Sequence, residues 1–172
     1  NFMEFYGNDK VIVNPLRVRP EYLHELENNL VLYFTATSRE SAMIIKEQVK
    51  KGNDKNEKSI EAMHQLKEQA KMMKESLLRG KLDQFGEILD FGFQQKRQMA
   101  ANISNDIIEK IYTAAKQAGA TGGKISGAGG GGFMIFYCPN NTRYAVIETL
   151  NTFGGEIKKY SFTKYGLTTW TI

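Results

Sequence analysis

Cysteine and histidine are scarce in this sequence, which has one cysteine and two histidines in 172 residues. A single cysteine, Cys138, excludes an intramolecular disulfide and a cysteine-based metal site. Its position at the end of an apolar run indicates a small buried side chain rather than a nucleophile. His24 and His64 are far apart and show no metal-ligand spacing. We therefore predict no metal site in this chain.

Long apolar runs and a strong excess of one charge are also lacking. No apolar stretch approaches the roughly 18 residues of a membrane helix, and the start, NFMEFYGNDK, lacks the pattern of a signal peptide. The net charge of +4 comes from scattered lysines rather than from a basic arm. We therefore predict a cytoplasmic protein that binds neither nucleic acid nor membranes. Because the chain does not begin with Met and opens within a strand-like run, we also expect a fragment of a longer protein.

The first third of the chain is predicted to form strands followed by a helix. Residues 2–18 alternate strand-like runs around a Gly-Asn-Asp turn, which predicts a β-hairpin. The apolar run 30–34 is typical of a central strand that is buried on both faces. Thr37 and Glu40 have the spacing of a capping box, so we predict a helix from Thr37 to about Lys50.

Three further helices are predicted in the middle of the chain. Asp54 and Glu57 are spaced as a helix cap, and apolar residues then recur every three or four positions until Gly80. A second helix covers about 82–101. Ser104 or Asn105 is expected to cap the third helix. Its inward face is predicted to consist of Ile107, Ile108, Ile111, Tyr112 and Ala115.

The C-terminal third is predicted to begin with a strand (GKIS), a glycine loop and a second strand (GFMIFYC). A helix at 141–153 and strands near 156–163 and 167–172 are predicted to follow. When part of the helical segment is set aside, this order matches the split β-α-β arrangement of ferredoxin-like folds. We therefore predict an α+β fold, with a ferredoxin-like antiparallel sheet, helices packed on one face and an extra helical insert.

The loop from Gly127 to Gly132 consists of five glycines around Ala128. It matches the bare G-x-G-x-x-G dinucleotide pattern, but a strand follows where that motif requires a helix. The Walker pattern fails because Ile125 follows Lys124. A simple glycine hairpin with a bulge needs only one or two glycines. We infer that the loop amides form an anion-binding nest, or that another backbone passes in contact, so that a ligand or a second domain lies against this edge.

Residues 124–132, KISGAGGGG, resemble the third signature motif of the GHMP small-molecule kinases, K-[LIM]-[TS]-G-A-G-x-G-G. Residues 30–45 resemble the strand and helix that open the family's C-terminal domain. Ala36 departs from the glycine that is frequent in the sugar-kinase branch. Residues 1–18 resemble the end of the N-terminal domain in members that act on D-glycero-D-manno-heptose phosphates and related sugars.

This resemblance implies a division of the chain into remnant strands of the N-terminal kinase domain (1–20) and a GHMP kinase C-terminal domain (21–172). The family's phosphate loop is not found in the sequence, so ATP and Mg²⁺ are expected to bind mainly to an N-terminal domain outside it. No catalytic residue is expected in this chain. The loop near the substrate and the transferring phosphate comprises Ser126, Gly127, Ala128, Gly129, Gly130, Gly131 and Gly132. Candidate substrate-binding residues are Thr37, Ser38, Arg39 and Lys124.

The function implied by the resemblance is transfer of the ATP γ-phosphoryl group to a hydroxyl of a sugar, with a heptose phosphate as substrate. The partners are the sugar phosphate and the protein's own N-terminal domain, and the chain alone is expected to be inactive. One alternative is a free-standing ferredoxin-like binding or regulatory module. A second is a kinase of the same family acting on fucose or another hexose. We expect valine at Gly129 or Gly131 to reduce turnover more than stability.

Overall fold

The structure is a computed structural model that describes residues 1–36, 41–53, 56–164, 166–167 and 169–171. Its helices are α1 (Pro20–Asn29), α2 (Ser41–Asn53), α3 (Glu57–Arg79), α4 (Asp83–Met99), α5 (Asp106–Gln117) and α6 (Arg143–Asn151). Its strands are β1 (Phe2–Phe5), β2 (Val11–Asn14), β3 (Leu30–Phe34), β4 (Gly122–Ile125), β5 (Phe133–Tyr137) and β6 (Glu156–Lys158). A short 3₁₀ turn, Ala101–Ile103, connects α4 to α5.

The main sheet has four antiparallel strands in the order β4-β5-β3-β6. The strand β3 lies in the middle, as its continuous apolar run predicts, and pairs with β5 along its whole length. The hairpin β1–β2 forms a separate two-stranded sheet. The predicted α+β class with an antiparallel sheet and a long helical insert is confirmed.

The helix α3 begins and ends at local signals. The Asn56 side chain accepts a 3.0 Å hydrogen bond from the amide of Ser59, which satisfies one of the free amides of the first turn. Gly80 ends the helix in the left-handed conformation (φ 66°), as the sequence predicts. The predicted cap at position 54 is wrong, because Asn56 occupies the capping position and Glu57 is already helical.

The hydrophobic core has a large and a small cluster. The large cluster lies on the sheet face that carries Val31, Tyr33 and Met134, and α2 to α6 all contribute to it. The small cluster joins Leu26 of α1, residues of α4 and Tyr137 on the opposite face. The sheet is therefore buried fully on one side and partly on the other.

Helix α4 lies directly against strand β4. A Cβ atom on Gly122 would stand 1.8 Å from the carbonyl oxygen of Gly86, and a Cβ on Gly86 would stand 1.9 Å from the Oγ1 atom of Thr121. Only glycine allows this approach of the helix and strand backbones. The packing brings the C-terminal end of α4 to the glycine loop that follows β4.

The structure also differs from the sequence predictions in other places. Ile107 is 51% exposed rather than inward-facing, while Ile108 and Ile111 are buried as predicted. Helix α1 was not predicted. In the described part of the C-terminal segment no strand follows Lys158, and Trp170 is 80% exposed, so the predicted strand at 167–172 is wrong for those residues.

Candidate functional site

The glycine loop connects β4 to β5 at one end of the main sheet. The amide of Ser126 donates a 2.7 Å hydrogen bond to the carbonyl oxygen of Phe133, which closes the hairpin below the loop. Gly127, Gly130 and Gly132 have φ values of 74°, 76° and 86°. L-residues rarely adopt this left-handed region, so the loop requires several glycines for its backbone path alone.

The carbonyl groups of the loop point toward the domain and are held there by side chains from separate segments. The Oγ1 atom of Thr35 donates to the oxygen of Gly132 over 3.0 Å, and the Nδ2 atom of Asn105 donates to the oxygen of Gly130 over 3.3 Å. The Lys96 ammonium donates to the oxygen of Gly127. The Nε2 atom of Gln48 lies 3.5 Å from the oxygen of Ala128.

Among the described residues, most amide groups of the loop have no acceptor. Within the described residues, only the amide of Gly130 donates a hydrogen bond among the residues from Gly127 to Gly132. Backbone amides that lack partners inside a protein are rare, and a run of them forms a concavity that suits an anion. The loop is thus anchored through its carbonyl oxygens, and its amides stay available for a ligand.

One side of the loop packs against the 3₁₀ turn. The amide of Gly130 donates a 2.8 Å hydrogen bond to the carbonyl oxygen of Ile103, and a Cβ on Gly129 would stand 2.7 Å from the same oxygen. Of the two reasons proposed for the glycines, close approach of another backbone therefore applies at Gly129, and this backbone belongs to the same chain. Valine at Gly129 is now expected to reduce stability directly, which revises our expectation from the sequence.

An ion pair between α4 and α5 lies next to this turn. The Arg97 guanidinium lies 2.9 Å from a carboxylate oxygen of Glu109 and 4.1 Å from the centroid of the Phe93 ring. The hydroxyl of Ser104 donates to the other carboxylate oxygen of Glu109. Ser104 directly follows the turn that contacts the loop. The packing of α4 on α5 therefore helps to fix the position of the loop.

Two lysines stand beside the loop. Lys124 lies on β4, and burial lowers the pKa of its ammonium group. Lys96 lies near the end of α4, where burial, and in second place the positive charge of Lys124, lower its pKa to about 8. Both groups are partly withdrawn from water next to a loop that offers free amides.

The remaining predicted site residues follow β3 in the sequence. Thr37, Ser38 and Arg39, together with the predicted capping box, lie outside the described residues. Ala36 immediately precedes them and has a φ of 56°. This left-handed conformation accounts for the glycine that the resemblance leads us to expect at this position.

Neither the contact of Lys96 with the loop nor the hydrogen bond from Asn105 to Gly130 was predicted from the sequence. Lys96 has a signal in the sequence, because it follows Leu89 and Phe93 on the inward stripe of α4, where a lysine is unusual. Asn105 was predicted as a helix cap, and it does cap α5 by accepting hydrogen bonds from the amides of Ile107 and Ile108. Its contact with Gly130 depends on tertiary packing and has no local signal.

Cys138 fits its predicted buried role. It is fully buried, and burial raises the pKa of its thiol to about 12, which keeps the thiol protonated and unreactive. In the described segments, no three His, Cys, Asp or Glu side chains are grouped as a metal site, and no helix is long and apolar enough to cross a membrane.

Comparison with known proteins gives matches to one family. Residues 73–156 match the family model described as "GHMP kinases C terminal". Over all 172 residues the chain is 45% identical to D-glycero-alpha-D-manno-heptose 7-phosphate kinase from Campylobacter jejuni, of which it covers 50%.

Solved structures give the same result. A D-glycero-D-manno-heptose 1-phosphate kinase from Bacteriodes thetaiotaomicron is 33% identical with a TM-score of 0.61, over 91% of this chain and 40% of that one. Mevalonate kinase from L. major shares the fold at 19% identity with a TM-score of 0.72, over 87% of this chain and 44% of that one. The chain spans about half the length of the relatives it matches.

Proposed function

We propose that this chain forms the C-terminal half of an ATP-dependent sugar kinase that acts on a heptose phosphate. The chain belongs to the GHMP kinase family and corresponds to the C-terminal domain of its members. The observation that carries the proposal is the glycine loop, whose carbonyls are anchored while the amides of Gly127, Ala128, Gly129, Gly131 and Gly132 have no acceptor among the described residues. Phosphoryl transfer depends on positioning and on the stabilisation of spread negative charge, which such amides provide.

In this reaction a hydroxyl oxygen of the sugar forms a bond to the γ-phosphorus of ATP while the bond from that phosphorus to the leaving oxygen of ADP breaks. The hydroxyl proton passes to a base, which is assigned to the N-terminal domain. The loop from Ser126 to Gly132 is the part of this chain that contacts the phosphate. Lys124 adds positive charge at the base of the loop, and Thr37, Ser38 and Arg39 are assigned to the sugar phosphate. ATP and Mg²⁺ are assigned mainly to the N-terminal domain. Mg²⁺ supplies charge neutralisation on the phosphates when bound.

We assign residues 1–20 to strands of the N-terminal domain and residues 21–172 to the C-terminal domain. The hairpin supports this division, because Met3, Phe5, Val11 and Val13 share one face and are each at least 50% exposed. An apolar face of this kind is expected to be covered in the complete protein. The length of the relatives, about twice that of the chain, supports the same division.

The test is an ATP-dependent phosphorylation assay of the full-length protein with D-glycero-D-manno-heptose 7-phosphate, fucose and other hexoses. Turnover with the heptose phosphate, and none with the isolated 172 residues, is the expected result. Preference for fucose or another hexose would keep the kinase class and replace the substrate. No turnover with any sugar would favour the free-standing binding or regulatory module.

A further inference from the structure

Lys96 and Lys124 are two cations that the fold brings together beside the glycine loop. Lys96 comes from the last turn of α4 and donates a hydrogen bond to the carbonyl oxygen of Gly127, while Lys124 comes from β4, just before the loop. The two ammonium groups are close enough for the charge of Lys124 to lower the pKa of Lys96. Burial acts in the same direction on both groups.

Among the described residues, neither ammonium group has a carboxylate partner. In these ranges the lysines that form ion pairs are Lys51, Lys71, Lys74 and Lys158. Within the same ranges, Lys124 also donates no hydrogen bond. Partial burial of two like charges without a counter-ion is unfavourable, because each loses hydration and repels the other. An anion that lies between the two ammonium groups would offset both costs.

We propose that Lys96 and Lys124 together hold a terminal phosphate group, as its dianion, against the free amides of the glycine loop. The proposal deepens the proposed function and rests on it for the identity of the ligand. Two ammonium groups match the two negative charges of the terminal phosphate, and the loop amides donate to its oxygens. The contact between Lys96 and Gly127 directs the ammonium to the loop and leaves two of its three donors available.

Two phosphates have this chemistry in the proposed reaction, namely the phosphate already on the sugar and the terminal phosphate of ATP. Both are terminal phosphate groups that can carry two negative charges, the first as an ester of the sugar and the second as part of a phosphoanhydride. The experiment below therefore has an arm for each, and a third arm with inorganic phosphate that assumes neither.

The test measures dissociation constants of the full-length protein by calorimetry for inorganic phosphate, D-glycero-D-manno-heptose 7-phosphate and a non-hydrolysable ATP analogue. The variants are Lys96→Met and Lys124→Met, which keep an apolar stem and remove the charge. Lys67→Met is the matched control, since Lys67 is an exposed residue of α3 outside the site. Unfolding curves of each variant verify that it is folded.

Each single site variant is expected to raise the dissociation constant for inorganic phosphate by roughly tenfold or more, as expected for loss of a charge-assisted hydrogen bond. A similar loss of affinity is expected for either the sugar phosphate or the ATP analogue. The ligand that is affected shows which of the two phosphates the lysines bind. The control changes all three constants less than twofold. Unchanged binding of all three ligands in folded Lys96 and Lys124 variants overturns the proposal.

These results separate the inference from the function on which it rests. If the wild-type protein phosphorylates a sugar and the site variants bind all ligands normally, only the inference fails. If the wild type phosphorylates no sugar and its binding of inorganic phosphate still depends on both lysines, only the proposed kinase function fails.

Discussion

The amide of Gly130 donates a 2.8 Å hydrogen bond to the carbonyl oxygen of Ile103, which fixes the middle of the glycine loop to the 3₁₀ turn between α4 and α5. The neighbouring amides have no such acceptor in the described part of the chain. The backbone of the loop is therefore held in place, while most of its amides remain available as hydrogen-bond donors to a ligand. This matters for catalysis, because preorganised donors need no rearrangement when charge develops on the transferring phosphate.

Asn105 allows helix capping and loop support to be tested separately. Its Oδ1 atom accepts hydrogen bonds of 3.1 Å from the amides of Ile107 and Ile108, which orients its Nδ2 atom toward the oxygen of Gly130. Asn105→Asp keeps an equally good cap and loses the donor to Gly130. We expect this variant to change the free energy of unfolding by less than about 1 kcal/mol, and to reduce kcat/KM of the full-length enzyme severalfold.

Asn105→Ala is the comparison, since it removes both contacts and is expected to cost about 1–2 kcal/mol of folding free energy as well as activity. Urea unfolding and steady-state kinetics measure the two effects. Wild-type kinetics in the aspartate variant would show that the contact with Gly130 has no part in turnover.

The close approach of Ile103 predicts a difference between two glycines of the loop. A Cβ on Gly129 would stand 2.7 Å from the oxygen of Ile103, whereas a Cβ on Gly127 has nothing within 4 Å. Gly129→Ala is expected to reduce the free energy of unfolding by about 2 kcal/mol or more, because it adds a backbone clash to conformational strain. Gly127→Ala carries only the left-handed strain, about 1 kcal/mol. Equal losses in chemical denaturation would mean that Ile103 does not require glycine there.

Ala36 is a candidate for stabilisation. It is exposed and its φ is 56°, a conformation that glycine adopts without strain. Ala36→Gly is expected to raise the free energy of unfolding by about 0.5–1 kcal/mol, since relief of strain exceeds the added entropy of the unfolded chain. Ala114→Gly within α5 is the control and is expected to be destabilising by about 1 kcal/mol. If both substitutions destabilise the protein, the left-handed conformation of Ala36 carries no strain.

Lys96 predicts a dependence of stability on pH. Its pKa is about 8 in the fold, against roughly 10.4 in an unfolded chain. The folded protein binds fewer protons than the unfolded chain between these values, so this residue makes stability rise with pH across that window. Below it, the buried charge destabilises the fold.

Lys96→Met is therefore expected to increase the free energy of unfolding at pH 7, by less than about 1 kcal/mol because solvent screens this partly exposed group, with the gain disappearing above pH of roughly 10.4. Denaturant unfolding at pH 7 and pH 10.5 measures this, with the exposed Lys67→Met as control. A gain of equal size at both pH values would attribute the effect to packing rather than to charge.

The sequence predicted those elements whose signals are local. The continuous apolar run predicted β3, and three- and four-residue periodicity predicted α3 and α4. Residues 167 and 169–171 pair with no strand in the described part of the chain, where β6 ends at Lys158. Ile107 was misassigned because its neighbours on α5 face inward and it lies next to them on the helix surface.

The candidate site was predictable only in part. Five glycines in six positions identified the loop. The strand that follows it excluded the dinucleotide motif, and Ile125 after Lys124 excluded the Walker motif. Lys96 and Asn105 lie 31 and 25 residues from the loop atoms that they contact, so only the packed fold brings them there. The motif also does not distinguish the two reasons for glycine in the loop. Gly129 must lack a side chain because the backbone of Ile103 lies against it, whereas other loop glycines are required because their φ values are positive.

The most direct test of this account uses the amide resonances of the loop in the ¹⁵N-labelled full-length protein, titrated with D-glycero-D-manno-heptose 7-phosphate and with inorganic phosphate. The account predicts that amides of Gly127, Ala128, Gly129, Gly131 and Gly132 shift on saturation. The amide of Gly130 is expected to shift least, since it already donates to Ile103. Loop resonances that stay in place at saturating concentrations of both ligands would contradict the claim that this loop binds phosphate.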